Sequence, residues 1–298
     1  MSGAPFLRRW ATVVSERFPP VAHVALIGAF FAGNAHDVVR GGGTGALHAA
    51  AAAAATLLVF FRMRVFDEIK DHATDVRLHP ERPLARRLVS VREAKTVAFS
   101  VAAVEGLLAA ACGASAFTVW TGVLAFTLLM YREFFLGTWL RPRMELYAVT
   151  HTFVVVGIGA FVAVAAGGAQ GLDTVLLAAA AGNWAVFNDF EFARKTFAPE
   201  EEKPGIETYS LRWGPRGAVT LTMANVAVAA AAMLWTARAS VAPLCAAAVV
   251  LFAVAVAVPY LLAPRAGSAA FYRRGMGVFL FGYYVLLAVA PRSAGGGG

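Results

Sequence analysis

Three aspartates stand at i, i+4 and i+8 in the stretch Phe66-Asp67-Glu68-Ile69-Lys70-Asp71-His72-Ala73-Thr74-Asp75. On a helix that spacing lines Asp67, Asp71 and Asp75 along one face, about 6 Å apart between neighbours. Carboxylates so close repel one another, and a cation relieves the repulsion. Hard oxygen ligands favour Mg²⁺, which takes one or two carboxylates and fills its shell with water and substrate phosphate. The chemistry expected here is therefore the handling of a phosphorylated ligand rather than a closed structural metal site. The competing reading is a solvated helix end whose acids pair with Lys70, Arg64 and Arg77. The next segment argues against it, because Glu81-Arg82-Pro83-Leu84 and Arg86-Arg87 place a dense basic stretch directly after the acids. A site for both metal and diphosphate needs that neighbour.

A second group has the same order of acid followed by base: Asn188-Asp189-Phe190-Glu191, then Arg194-Lys195, then Glu200-Glu201-Glu202. It makes a loose internal repeat with the first. Asp189 and Glu191 are the better ligand candidates, since they sit where an apolar run ends and ionisable groups at that depth carry a functional presumption. Glu200 to Glu202 follow Pro199 and read as a solvated acidic run.

The elements that position these groups are apolar. The 298 residues are 59% hydrophobic and 15% charged, too little polar surface to cover a water-soluble domain of this size. Long apolar runs recur at about 20–36, 45–61, 96–112, 115–131, 146–167, 173–190, 217–237, 241–263 and 274–291, each near the ~17–25 residues that a helix needs to cross hydrocarbon. The expected fold is all-α: a polytopic helical bundle of about nine transmembrane helices, rich in Ala and Gly for close packing. The net charge of +8 does not indicate nucleic acid, because the basic residues lie between apolar runs rather than along one soluble face. Counted from a cytoplasmic amino terminus, 23 of the 26 Lys and Arg fall on one side, leaving Arg40, Arg238 and Arg292 on the other. That bias predicts an integral protein of the cell inner membrane, amino terminus cytoplasmic and carboxyl terminus opposite. The first run is read as a retained span, not a cleaved signal. The organisation expected is one membrane domain over 1–298, with an amino-terminal cytoplasmic segment at 1–19, cytoplasmic active-site loops at 66–95 and 188–216, and a flexible tail at 292–298. Cys112 and Cys245 are isolated and read as small core residues.

With these residues assembled, the chain resembles the UbiA superfamily of intramembrane prenyltransferases. The family's first motif, N-D-x-x-D-x-x-x-D followed by R-P-L, is similar to Asp67-Glu68-x-x-Asp71-x-x-x-Asp75 and then Arg82-Pro83-Leu84. The second match is looser. Thr208-Tyr209-Ser210-Leu211-Arg212-Trp213-Gly214 looks like the segment trailing the family's second acidic motif, but Arg194-Lys195 stand where another aspartate is expected. Either Glu200 to Glu202 supply the missing ligands, or Arg194 and Lys195 take over part of the charge neutralisation. The resemblance implies nine helices around a central cavity opening to the cytoplasm. It implies Mg²⁺ held by Asp67, Glu68, Asp71, Asp75, Asp189 and Glu191, with Asp67, Asp71, Asp75 and Asp189 essential to catalysis. It implies an isoprenyl diphosphate bound by Lys70, Arg82, Arg194 and Lys195, with Arg141 and Arg143 as further candidates that read equally as topology charges. The prenyl group would pass to a lipophilic or aromatic acceptor, its tail lying in an apolar groove open to membrane lipid.

Two ionisable residues inside apolar runs have two readings each. His151 is an acceptor-site base or a hydrogen-bonded structural residue, and Glu105 is functional or paired with a neighbouring helix. Tyr131, Glu133 and Trp139 lie in a connection able to cover the site. Within the same fold a terpene cyclase would ionise the same diphosphate. A secondary transporter is disfavoured because the charges gather at one rim instead of the midplane. A non-catalytic isoprenoid-binding relative would lack metal-enhanced diphosphate binding.

Overall fold

The computed structural model describes residues 5–35, 45–166, 173–237 and 240–290. Arg40, Arg238 and Arg292, and with them the 292–298 tail, lie outside the described residues.

Among the described residues every regular element is a helix. Three are single turns, at Glu133–Phe135, Gly137–Leu140 and Pro199–Glu201; the longer ones in chain order are α1 (Phe6–Arg17), α2 (Pro20–Asn34), α3 (Ala46–Leu78), α4 (Val91–Ala111), α5 (Ala114–Tyr131), α6 (Met144–Thr152) and α7 (Val154–Ala165). They continue with α8 (Thr174–Arg194), α9 (Tyr209–Thr236), α10 (Ala242–Leu262) and α11 (Ala266–Val289). Among the described residues six stretches are long and apolar enough to cross a membrane: α3, α4, α5, α6 with α7, α9 and α10. The helix α2 is apolar but only 15 residues long, and α8 and α11 occupy the two remaining apolar runs. The chain is an integral membrane protein, with Cys112 and Cys245 both free.

The helix α3 carries the first acidic motif, and its length matters. No Gly or Pro interrupts Ala46–Leu78, and Pro80 arrives only after the helix has ended. Its 33 residues, at about 1.5 Å each, make a rod of about 50 Å against a hydrocarbon core of about 30 Å. Roughly the last 13 residues therefore project past the hydrocarbon, and these are the acidic stretch. The expected loop at 66–95 is corrected accordingly: its first part is helix to Leu78, and α4 begins at Val91. The expected loop at 188–216 likewise opens inside α8 and closes inside α9, leaving a connection between Lys195 and Thr208. The Thr208 hydroxyl caps α9 by accepting from the Leu211 N–H (3.0 Å), and the helix kinks at Gly214 (φ 68°) before Pro215.

From α2 to α5 and from α7 to α11 consecutive helices pack side by side, α5 packs on α7, and α11 returns to pack on α2, closing the bundle. Beneath the charged end, Phe30 of α2 meets Phe60 of α3 (ring centroids 5.6 Å), Phe187 of α8 (6.1 Å) and Tyr284 of α11 (5.0 Å) edge-on. Four helices are thereby joined by one aromatic cluster. Arg62, counted in the sequence among the loop charges, lies inside α3 with no exposure. Its Nε donates to both carboxylate oxygens of Glu105 on α4 (2.8 and 3.1 Å), and its Nη1 donates to Thr127 on α5 (2.7 Å). Trp120 Nε1 donates to the same carboxylate (3.1 Å), so Glu105 is a paired structural residue. At the charged end α1 lies against the bundle, its Trp10 and Val13 clustering with Val65, Phe66, Ile69, Leu84 and Val89.

Candidate active site

A cavity of about 850 Å³ opens at the charged end. One wall is α3, which presents Arg64, Asp67, Glu68, Lys70 and Asp71, followed by Arg82 from the connection after it. Facing it, the end of α8 presents Glu191, Arg194 and Lys195. Arg17, at the end of α1, closes a third side. Six cations thus stand against the four carboxylates of Asp67, Glu68, Asp71 and Glu191, which favours an anionic occupant. Behind this polar mouth the walls turn apolar, with Phe18, Phe60, Met63, Val155, Phe187 and Phe190 leading to the aromatic cluster.

The α3 acids differ in what they are free to do. Asp67 is half-exposed, with only a 3.6 Å contact to Lys70. Asp71 is exposed at the mouth. Glu68 is buried, and its Oε1 is taken by Arg17 (2.7 Å) and Arg64 (3.0 Å), while its Oε2 is buried without a hydrogen-bond partner. Asp75 does not line the cavity: it is buried in an ion pair with Arg82 at 2.6 Å. The cause is helical geometry, since each four-residue step overshoots a full turn by about 40°, leaving Asp75 about 80° round from Asp67. Asp75 therefore orients Arg82, which does face the cavity.

The second acidic group divides in the same way. Glu191 lines the cavity with its carboxylate held by Arg194 (2.5 and 2.8 Å) and Lys195 (3.2 Å). Asp189 has no exposure, does not line the cavity, and neither of its carboxylate oxygens has a hydrogen-bond partner. Residues two apart on a helix diverge by about 200°, so these two acids point opposite ways. Glu200 to Glu202 are also committed elsewhere. Glu200 accepts from the Ala266 N–H (2.5 Å), Glu201 holds Arg273 (2.6 and 2.8 Å), and Glu202 accepts from Thr208 and Ser210 (2.7 to 2.8 Å). Between the alternatives left open by the sequence, the cavity contains Arg194 and Lys195 rather than the glutamates.

Arg141 and Arg143 stand apart from the cavity. Arg141 grips Glu133 through two hydrogen bonds (2.7 and 2.9 Å), and Arg143 stacks over Trp139 at 4.2 Å. Burial pushes the Glu133 carboxyl up, but the Arg141 hydrogen bonds and charge outweigh it and hold the carboxyl below its ordinary range. Sequence reasoning missed Arg17, read as a topology charge, and Tyr147, which faces the cavity beside His151. Tyr147 and His151 are i and i+4 on α6, a spacing that shares a face but does not say which face turns inward. Tyr147 Oη lies 3.1 Å from Lys70 Nζ.

The family model for UbiA prenyltransferases matches residues 21–285. The chain belongs to the UbiA prenyltransferase family. Solved UbiA-type structures share its fold at low identity. A UbiA homologue from Aeropyrum pernix K1 is 19% identical with a TM-score of 0.63, the match covering 88% of this chain and 97% of that one. A homologue from Archaeoglobus fulgidus, bound to GPP and Mg²⁺, is 16% identical with a TM-score of 0.60 over 93% and 99%. A digeranylgeranylglyceryl phosphate synthase structure is 13% identical with a TM-score of 0.63 over 95% and 99%. No curated protein sequence matches the chain.

For a UbiA-family protein the donor set invites a test for Mg²⁺. Among the described residues no three His, Cys, Asp or Glu side chains converge as a ready cage. Mg²⁺ does not need one, because it completes one or two carboxylates with water and phosphate oxygens. Asp67 and Asp71 fit that requirement, with the unpartnered Glu68 Oε2 behind them. The α8 side offers a second ion only Glu191, already tied to two cations.

Proposed function

We propose that this protein transfers a prenyl group from an isoprenyl diphosphate to a lipophilic or aromatic acceptor, with Mg²⁺ held by Asp67 and Asp71. The observation that carries the reading is the single cavity in which carboxylates of α3 face cations of α8 at a polar mouth, with an apolar chamber behind. The binding of GPP and Mg²⁺ by the Archaeoglobus homologue supports it.

Each residue has a part. Lys70, Arg82, Arg194 and Lys195 receive the diphosphate and stabilise its charge as the allylic C–O bond lengthens. Asp75 aims Arg82, and Glu191 aims Arg194 and Lys195. Bound Mg²⁺ supplies further charge neutralisation on the leaving diphosphate. Phe60, Met63, Phe187 and Phe190 give the prenyl tail a dry lining that keeps water from a developing cation. The charge bias of the connections supports a mouth on the cytoplasmic side of the membrane.

The test incubates purified protein with labelled prenyl diphosphates of several lengths and an acceptor panel, with Mg²⁺ or EDTA, and identifies products by mass spectrometry. Mg²⁺-dependent prenylated acceptor is the expected result. Cyclic hydrocarbon formed without acceptor would identify a cyclase, and turnover indifferent to EDTA would sink the metal assignment.

A further inference from the structure

The leaving diphosphate accounts for one half of a prenyl transfer; the acceptor must also give up a proton. None of the residues assigned above is a neutral base. Carboxylates and cations crowd the mouth, while the deeper walls are almost wholly apolar. Of the two histidines that line the cavity, His23 and His151, His151 is the one with a buried ring nitrogen left without a partner. It stands on α6 one turn beyond Tyr147, and its ring stacks on the Tyr147 ring at 3.9 Å with Phe134 edge-on at 5.5 Å. The stack on Tyr147 holds the plane of the imidazole.

The two ring nitrogens are in different situations. Nδ1 lies 2.7 Å from the backbone carbonyl of Tyr147. A carbonyl only accepts, so Nδ1 carries the proton and donates it. In the neutral ring Nε2 then holds a bare lone pair. That atom is buried and has no hydrogen-bond partner, and the residue lines the cavity. The charges that act on the ring are those of Lys70, Asp67 and Glu133. Tyr147 Oη, which neighbours the ring, is already engaged with Lys70. A buried acceptor atom left without a donor on a substrate cavity is costly unless a ligand completes it.

Resting on the prenyl-transfer reading above, we infer that His151 is a catalytic base for the acceptor half-reaction, its Nε2 receiving the proton of a hydroxyl group carried by the acceptor. In that step the bond between prenyl C1 and the diphosphate oxygen breaks, and its electron pair leaves on the diphosphate. A lone pair of the acceptor oxygen forms the new C–O bond to C1. The O–H proton passes to Nε2, giving an imidazolium that releases it to water through the open mouth. Lys70 would oppose that imidazolium, but it is the cation beside Asp67 and is further offset when a diphosphate binds. Asp67 and Glu133 favour the imidazolium.

The experiment uses the full chain in lipid nanodiscs, with geranyl diphosphate and Mg²⁺ as the donor and a panel of phenols and primary alcohols as acceptors. His151→Asn keeps an amide N–H near the Nδ1 position for the Tyr147 carbonyl but has no counterpart to Nε2. It is expected to bind geranyl diphosphate like the wild type and to lose transfer by about 100-fold or more, the scale of a positioned general base. His151→Ala should lose transfer similarly and regain part of it when imidazole is added. Wild-type transfer by His151→Asn, loss of geranyl diphosphate binding along with transfer, or no rescue of His151→Ala by imidazole would each overturn the assignment. Wild-type protein that binds geranyl diphosphate with Mg²⁺ but prenylates no hydroxyl acceptor would also overturn it and leave the donor site standing. Failure of the wild type to bind geranyl diphosphate would instead remove the prenyl-transfer reading on which it rests.

Discussion

Removing Glu105 should be among the most damaging single changes in the bundle, although it lies outside the cavity. The carboxylate and the Arg62 guanidinium are both without exposure, joined by two hydrogen bonds and flanked by Trp120 and Thr127. In Glu105→Leu, Arg62 keeps only its bond to Thr127, and a cation is left in the interior beside an Nη2 that already has no partner. Breaking a buried pair from one side costs about 3–5 kcal/mol, since the remaining charge is uncompensated. Arg62→Met should cost a similar amount by stranding the carboxylate. The double variant strands neither charge and leaves only the buried Trp120 N–H unpaired, so it should be less destabilised than either single variant, and the two sites should couple by several kcal/mol rather than add. Equilibrium unfolding in mixed detergent micelles, followed by far-ultraviolet circular dichroism, measures all four proteins. A Glu105→Leu variant within about 1 kcal/mol of the wild type, or a double variant as weak as the sum of the singles, would refute the reasoning.

Three other outcomes are expected. Asp71→Ala should reduce Mg²⁺-dependent turnover at least on the order of 100-fold while the helical circular dichroism spectrum is unchanged; an active variant would remove Asp71 from the metal site. Gly182→Ala would bring a methyl group to 2.9 Å from the Ala232 methyl and into overlap with the Tyr283 hydroxyl, so thermal unfolding should show a loss of roughly 1–3 kcal/mol. The Glu201 carboxyl is held below its ordinary value of 4.5, chiefly by the hydrogen bonds from Arg273. A depressed carboxyl contributes stability above its unfolded pKa and loses it as pH falls through the folded value. The unfolding midpoint of Arg273→Ala should therefore lie below that of the wild type at neutral pH, and the gap should narrow only below about pH 4.5, down to the share left by the lost Thr196 carbonyl bond and Phe197 contact; a gap independent of pH would show that the pair is not its source.

Much of the first acidic group was legible because Asp67 and Asp71 need only one turn of helix to share a face. Asp75 was not, because the small angular error of each turn accumulates and only the position of Arg82 shows where it ends. The pairing of Asp189 with Glu191 was a reading of sequence proximity against helical geometry, which sends neighbours at i and i+2 to opposite sides. Arg62 looked like a loop charge because its partner stands 43 residues away on another helix. Arg17 was counted only toward topology for the same reason, its contact with Glu68 being set by how α1 folds back on the bundle. Tyr147 and His151 could not be oriented without knowing that Trp184 Nε1 bonds the Val149 carbonyl (2.8 Å) where α6 and α7 part at Phe153. The number and order of apolar runs, by contrast, required only composition and length, and each run holds a helix.

The uninterrupted rod of α3 constrains how the site can let go of what it holds. Asp67, Glu68, Lys70 and Asp71 ride on one stiff shaft whose backbone bonds run unbroken down into lipid, so their mutual spacing cannot widen without melting a membrane-anchored helix. On the proposed reading, departure of the leaving diphosphate would have to be accommodated by the connections around that shaft: the one that carries Arg82 after it and the stretch between Lys195 and Thr208. In this protein turnover is expected to be paced by its connections, with the ligand-bearing helix serving as the fixed jaw.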